Sequence, residues 1–251
     1  MTKYCYQLYS SRNFGPLPKS LGLLADLGYD SVEGYDALYA TPAMATRLRT
    51  DLDQAGLQMK SGHFGLDMVE SDPETVGKTA RILGMDHVIV PYLPEDRRPN
   101  DNAGWQALGA RLAKVGKPLI ANGYSFGWHN HDFEFQPLAD GNFPIETILN
   151  SAPDLVFEFD VAWATRAGQD PAAWIDRLGH RITAAHVKDI APDGTAVDED
   201  GWADVGHGVL DWTGLIAALR AKGCERFVVE HDNPGDDARF ARQSIEFLAR
   251  I

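Results

Sequence analysis

The chain has 251 residues, of which 44% are apolar and 24% charged, and a formal charge of -13. That composition supports a large packed core rather than disorder, and the length suits one α/β barrel, which commonly needs about 250 residues. The acidic balance repels phosphate backbones, so nucleic acid is not an expected partner.

Strand-like and helix-like segments alternate from end to end. Short β-patterned runs are predicted at 4–9, 31–35, 59–64, 87–93, 125–131, 156–163, 182–189 and 226–232. Helix-patterned stretches fall between them, at 17–27, 42–55, 73–83, 102–121, 144–150, 171–178, 212–222 and 236–249. Three of these open on a cap followed by a first-turn proline: Thr41–Pro42, Asp72–Pro73 and Asp170–Pro171. Gly28, Gly56, Gly84 and Gly223 stand where a helix would end on a left-handed residue. No linker, low-complexity tract or charge block divides the chain, so residues 1–251 read as one domain. Eight βα units imply a parallel sheet closed into a (β/α)8 TIM barrel. SSRNFGPL stands after the first strand in place of a GxGxxG, which argues against a dinucleotide fold.

Cys5 and Cys224 lie far apart and read as buried free thiols rather than a disulfide. MTKYCYQLYS has no apolar signal region, and no window approaches a membrane span. A reduced, cytoplasmic protein with no membrane partner is therefore expected.

Polar side chains that bind metals stand where the strands stop. They are His129 in GWHNHDFEF, Asp160 in VFEFDVAW, His186 in ITAAHVKD and Glu230 in RFVVEHD. Barrel sites lie at the C-terminal strand ends, so four such residues suggest one divalent cation there. Two imidazoles with two carboxylates suit Mn²⁺, Co²⁺ or Zn²⁺, and Mg²⁺ is the oxygen-preferring alternative. Alternation puts His129 and His131 on one face and Asn130 on the other. It likewise pairs His186 with Lys188, and Glu158 with Asp160. Glu158 is then the deeper carboxylate, which must be paired if it is charged. Each of these residues also has a structural reading: a rim histidine, a helix-capping aspartate, or a glutamate paired with arginine.

The stretches GYDSVEGY, SGHFGL, GWHNHDFEF, FEFDVAWATRAGQDPAAW, RITAAHVKD, VGHGVLDW and FVVEHD resemble the sugar phosphate isomerase/epimerase superfamily, the xylose isomerase-like TIM barrels. They are most similar to its GYHNHDFEF-type branch. The resemblance maps that family's metal ligands onto His129, Asp160, His186 and Glu230. It implies an enzyme acting on a sugar, keto-sugar or cyclitol by removing a proton next to a carbonyl, and a homodimer or homotetramer. The ketose 3-epimerases carry glutamate where His129 stands, and many relatives carry histidine where Trp163 stands. The loss of that glutamate makes a two-base epimerisation less favoured. Isomerisation, or elimination by an inosose dehydratase or keto-glycoside lyase, fits as well.

The roles that follow are expectations. Glu230 is a ligand and proton acceptor. His131 and His63 are acid/base groups, because an ordinary imidazole titrates near pH 6.5. Lys188 and Glu33 orient substrate hydroxyls or stabilise an oxyanion, although Lys188 has the alternative of a salt bridge with Glu158 or Glu230. Trp163, Trp128, Phe64 and Tyr6 either wall a sugar ring or fill the barrel's top layer, and the second reading is favoured for Trp128. His231 is a further substrate contact. Arg97 and Arg98 either bind an anionic group or are solvated, and His207 either approaches the site or is exposed. Two competing functions are an endonuclease IV-like phosphodiesterase, disfavoured by the charge, and a non-catalytic carbohydrate- or metal-binding protein.

Overall fold

Apolar runs such as HVIV and RFVV suit strands buried on both faces, as parallel sheets require. In the computed structural model, which describes residues 3–251, they are. Met1 and Thr2, the start of the N-terminal stretch discussed above, lie outside the described residues. The barrel strands are β1 (Tyr4–Gln7), β2 (Ser31–Tyr35), β3 (Gln58–His63), β4 (His87–Val90), β5 (Ser125–His129), β6 (Val156–Asp160), β7 (Ile182–Val187) and β10 (Arg226–Val229). They close in the order β1-β10-β7-β6-β5-β4-β3-β2, and every barrel pair is parallel. This is the (β/α)8 barrel that the alternating pattern implies.

Several strands stop short of the predicted ends, because their last residues leave the ladder to build the site loops. β4 ends at Val90, since Pro91 has no N–H to give. Helices α1 (Leu17–Leu27), α2 (Pro42–Ala55), α4 (Pro73–Leu83), α5 (Asn102–Ala121) and α8 (Pro171–Leu178) match the pattern. α6 (Pro144–Ser151), α9 (Trp212–Ala221) and α10 (Asp237–Leu248) differ from it by a residue or two. The caps explain the sharp starts. Thr41, Asp72, Asp170 and Asp236 accept from the N–H groups of Met44, Thr75, Ala172 and Arg239. Gly28 ends α1 at φ 91°, a left-handed conformation in which a Cβ is strained.

Two short helices go beyond the sequence pattern: α3 (Leu66–Ser71) and α7 (Val161–Arg166). So does an antiparallel pair, β8 (Asp189–Ile190) with β9 (Trp202–Ala203), in the long loop after β7. Asp189, the last residue of HVKD, accepts from the backbone N–H groups of Ile190, Gly206, Gly208 and Leu210. One carboxylate thus shapes the whole VGHGVLDW turn. A Cβ on Gly208 would collide with that carboxylate.

The apolar core lies between strands and helices, where Trp128, Phe157, Phe159, Phe135 and Trp212 are fully buried. Inside the barrel the chemistry reverses. Gln7, Glu33, Ser61, His63, His129, Glu158, Asp160, His186 and Lys188 are all buried there. Burying charge costs several kcal/mol per ion unless it is paired, so this interior is organised by ionic contacts. Cys5 and Cys224 are buried free thiols. Among the described residues, no helix is long and apolar enough to cross a membrane.

Candidate metal and substrate site

A cavity of about 420 Å³ opens at the C-terminal end of the barrel. Its floor is reached by His63, His129, His131 and Glu230, and its walls include Tyr9, Tyr35, Tyr92, Trp163 and Asp232. His129 closes β5, and His131 follows it two residues later. Between them Asn130 points away from the cavity. Its Oδ1 accepts from the Asp160 N–H at 2.9 Å and its amide donates to the Asp160 carbonyl at 3.1 Å, which ties the end of β5 to β6.

Four donor atoms, one each from His129, Asp160, His186 and Glu230, lie within 4.8 Å of one another. Asp160 Oδ1 caps α7 by accepting from the Trp163 N–H at 2.9 Å. Its other oxygen, Oδ2, is buried and accepts no hydrogen bond, although the Lys188 ammonium stands 3.2 Å from it. His186 Nδ1 lies 2.8 Å from Glu230 Oε2. Two imidazoles and two carboxylates gathered this closely fit a divalent cation of the Mn, Co or Zn type.

A cation of the protein's own sits beside this set. Lys188 Nζ lies 2.8 Å from Glu230, 2.9 Å from Asp232 and 3.2 Å from Asp160. Burial disfavours its charge, but Asp160, Asp232 and Glu230 outweigh burial and keep it protonated. Burial likewise raises Glu230, yet Lys188 and His186 hold it well below the usual carboxylate range. The salt bridge to Glu230 expected for Lys188 is present, whereas a Lys188–Glu158 pair is not among its contacts. Lys188 also lies over the Trp163 and Trp202 rings, at 5.4 and 4.9 Å.

A second layer lies beneath. Glu158 Oε2 is 2.7 Å from His63 Nε2, 3.2 Å from His186 Nε2 and 3.3 Å from His129 Nδ1. Glu33 Oε1 accepts from the Gln7 amide at 2.8 Å and lies 2.9 Å from His186 Nε2. The deep carboxylate foreseen at Glu158 is therefore paired, with three imidazoles.

The two histidines expected as acid/base groups are pushed apart. Burial lowers His63, but Glu33 and Glu158 overcome it and raise it to about 10. Burial, with help from His129 and Lys188, holds His131 well below its ordinary value. The assumption of ordinary imidazoles fails at both. At neutral pH His63 is a cation tied to the floor, and His131 is a neutral base facing the cavity.

Other expected substrate contacts lie elsewhere. Glu33 is fully buried and does not line the cavity, since it lies in the middle of β2, two residues before the strand ends at Tyr35. Tyr6 faces the helices, packed on Tyr29 and Phe240, with its hydroxyl 2.9 Å from Ser11 Oγ. Phe64 is buried against Tyr39. His231, one residue past Glu230, alternates to the outside, where it packs on Phe240 and accepts from the Asn233 N–H. Arg97 is turned to Asp67 at 2.8 Å. Arg98 donates to the Tyr92 hydroxyl at 2.7 Å, and His207 is exposed. Trp128 faces away from His129 and donates to Glu134 at 2.9 Å. Trp163 alone of the proposed aromatic wall reaches the cavity.

Sequence reasoning missed Glu134, which accepts from the His131 N–H at 2.8 Å and so fixes the loop that carries the base. Its place in the same GWHNHDFEF stretch was the available signal. It also missed Tyr9, Tyr35, Tyr92 and Asp232, which come from loops and strand ends without periodic patterning. Tyr92 packs edge-on against His131 with ring centroids 5.0 Å apart.

The family model described as xylose isomerase-like TIM barrel matches residues 21–251. No curated protein matches the chain. Among solved structures, a sugar phosphate isomerase/epimerase from Parabacteroides distasonis is similar at TM-score 0.80 and 22% identity, over 98% of this chain and 93% of that one. The IOLI protein with a binding zinc atom is similar at TM-score 0.74 and 16% identity, over 99% and 96%. The 3-keto-D-glucoside 4-epimerase YcjR from E. coli, in its apo form, is similar at TM-score 0.74 and 16% identity, over the full length of both chains.

Proposed function

Because the chain belongs to the xylose isomerase-like TIM barrel family, we propose that it is a divalent-cation-dependent isomerase or epimerase. Its substrate would be a sugar, keto-sugar or cyclitol, and it would act by removing a proton next to a carbonyl. The observation that carries this reading is the set of four donor atoms within 4.8 Å, of which those of His129 and Glu230 belong to residues lining a cavity that also holds a neutral imidazole. His129, Asp160, His186 and Glu230 would hold the cation, which when bound polarises a carbonyl or hydroxyl oxygen of the substrate.

The chain's own groups account for the rest. His131 accepts the carbon-bound proton, since it has no carboxylate partner to hold it charged. Returning that proton to the neighbouring carbon of the enediol, with the hydroxyl proton passing to the former carbonyl oxygen, gives isomerisation, whereas epimerisation needs a second group to protonate the opposite face, for which Glu230 in the same cavity is the candidate. Trp163 and Tyr92 present ring faces and edges to a sugar, and the partly buried cavity limits water. Lys188 keeps Glu230 ionised.

One observation favours a second reading, elimination of water or of a glycoside. Asp232 lines the same cavity and has a buried oxygen, Oδ2, without a hydrogen-bond partner. In its protonated form such a carboxyl donates to a leaving oxygen while His131 takes the carbon proton.

Incubation in heavy water with ketoses, inososes and 3-keto-glycosides tests both readings by NMR. Deuterium uptake at the carbon next to the carbonyl supports isomerisation or epimerisation, and appearance of an enone supports elimination. Absence of exchange and of turnover across the panel, with cation present, contradicts both.

A further inference from the structure

His129 and His186 each turn one ring nitrogen up to the proposed cation and the other down to the buried carboxylates. For His129, Nε2 lies on the upper side, 4.0 Å from Asp160 Oδ2, and Nδ1 on the lower, 3.3 Å from Glu158 Oε2 but outside hydrogen-bond geometry. For His186, Nδ1 is on the upper side, 2.8 Å from Glu230, and Nε2 is below, 2.9 Å from Glu33 and 3.2 Å from Glu158. The two rings therefore use opposite nitrogens for the same task. A neutral imidazole has one N–H and one lone pair, and its partner decides which nitrogen holds which.

We infer that Glu158 and Glu33 together are the positioning groups of the cation site: Glu33 takes the N–H of His186, and Glu158 Oε2, within 3.3 Å of both ligand imidazoles, draws their N–H sides downward so that their lone pairs face the cavity. This rests on the function proposed above only in that His129 and His186 are ligands. Metal-bound imidazoles generally donate their second N–H to such a carboxylate, which fixes ring orientation and raises ligand basicity. Here one oxygen faces both rings from below.

His63 completes the arrangement. Its Nε2 is 2.7 Å from the same oxygen, and its ring stacks on His186 at 5.5 Å with only 9° between the planes. It braces the His186 ring. Glu33 has a narrower part. It faces His186 but is not among the partners of His129, and the Gln7 amide holds it in place at 2.8 Å. Glu158 thus faces both ligands while bonding to His63, and Glu33 faces and bonds to His186 alone. Neither lines the cavity, so neither is placed to touch substrate.

The test uses zinc alone, without substrate. In zinc-loaded wild-type protein, side-chain ¹H–¹⁵N spectra should show His129 protonated at Nδ1 and His186 protonated at Nε2. Titration calorimetry should give one zinc per chain, with affinity roughly 10- to 100-fold lower in Glu158→Gln. Glu33→Gln, a second variant in case the first folds poorly, should weaken zinc less. It should disturb the His186 resonances while leaving those of His129 in place. The opposite tautomers, unchanged affinity in both variants, or a second zinc bound between His63 and Glu158 would overturn the inference while leaving the upper cation site standing. Failure of the wild type to bind zinc at all would overturn the function proposed above together with this inference.

Discussion

Replacing Lys188 by methionine keeps the unbranched stem and removes the one lysine ammonium in the site. In the cation-free protein this leaves Glu230, Asp232 and Asp160, now at 2.8, 2.9 and 3.2 Å from that ammonium, without their shared counter-charge. The lysine and its partners are buried or nearly so, and breaking a buried pair by removing one member costs about 3–5 kcal/mol. In a chain of this size each kcal/mol moves Tm by roughly 2–4 °C. Lys188→Met in chelator should therefore melt roughly 6–20 °C below wild type. Zinc or manganese should recover much of that loss, because the added cation compensates Asp160 and Glu230 in the lysine's stead. Cation affinity should also rise, since a neighbouring positive charge is gone. The assay is thermal denaturation with chelator and with cation, paired with titration calorimetry. A chelated variant that melts within about 2 °C of wild type, or one that binds the cation more weakly, would refute this reasoning.

His131→Gln should slow deuterium exchange at the substrate carbon by roughly 10²- to 10⁴-fold, the usual contribution of a general base. Zinc affinity by calorimetry should stay near the wild-type value. Trp163→Ala should raise KM by roughly two- to tenfold, since aromatic packing is worth about 0.5–1.5 kcal/mol beyond the area it buries. Glu134 is raised by burial to about 8, against the opposing effect of the N–H groups of His131 and Trp128. Its folded value thus lies above the unfolded carboxylate value of about 4.3. Its contribution to stability is complete below that lower value and is lost as pH rises to about 8. Denaturant titrations should show wild-type stability falling relative to Glu134→Gln across that window and levelling off above it. A flat difference contradicts the assignment. Arg239 on α10 pairs with Glu199 and Asp204 of the long β7 loop, at 2.9 and 3.0 Å. Arg239→Leu should make residues 192–200 cleave faster under limited proteolysis, and cleavage at the wild-type rate would show that the pairing does not hold the loop.

The barrel was legible in the sequence because its signals are local and repeated: apolar runs for the strands, and a Thr or Asp cap with a first-turn proline for several helices. Period-two alternation from His129 also picked out His131, and it placed Asn130 and Trp128 on the opposite side. The same rule read from Glu230 puts His231 outside the barrel, where it packs on Phe240, so its place as a substrate contact did not follow from the pattern. Glu33 misled for a different reason. It stands mid-strand, because β2 runs on to Tyr35, and so it faces the buried layer rather than the cavity. The cavity mouth was least legible. Tyr9 and Tyr92 come from segments that leave the sheet, and their positions depend on tertiary packing rather than on period.

The central claim is that one divalent cation is held by His129, Asp160, His186 and Glu230. Anomalous diffraction from a zinc-soaked crystal tests it most directly. A single peak per chain is expected, within about 2.0–2.2 Å of a nitrogen of each histidine and an oxygen of each carboxylate. An empty map at saturating zinc, or a peak that leaves Asp160 and Glu230 uncoordinated, would contradict it.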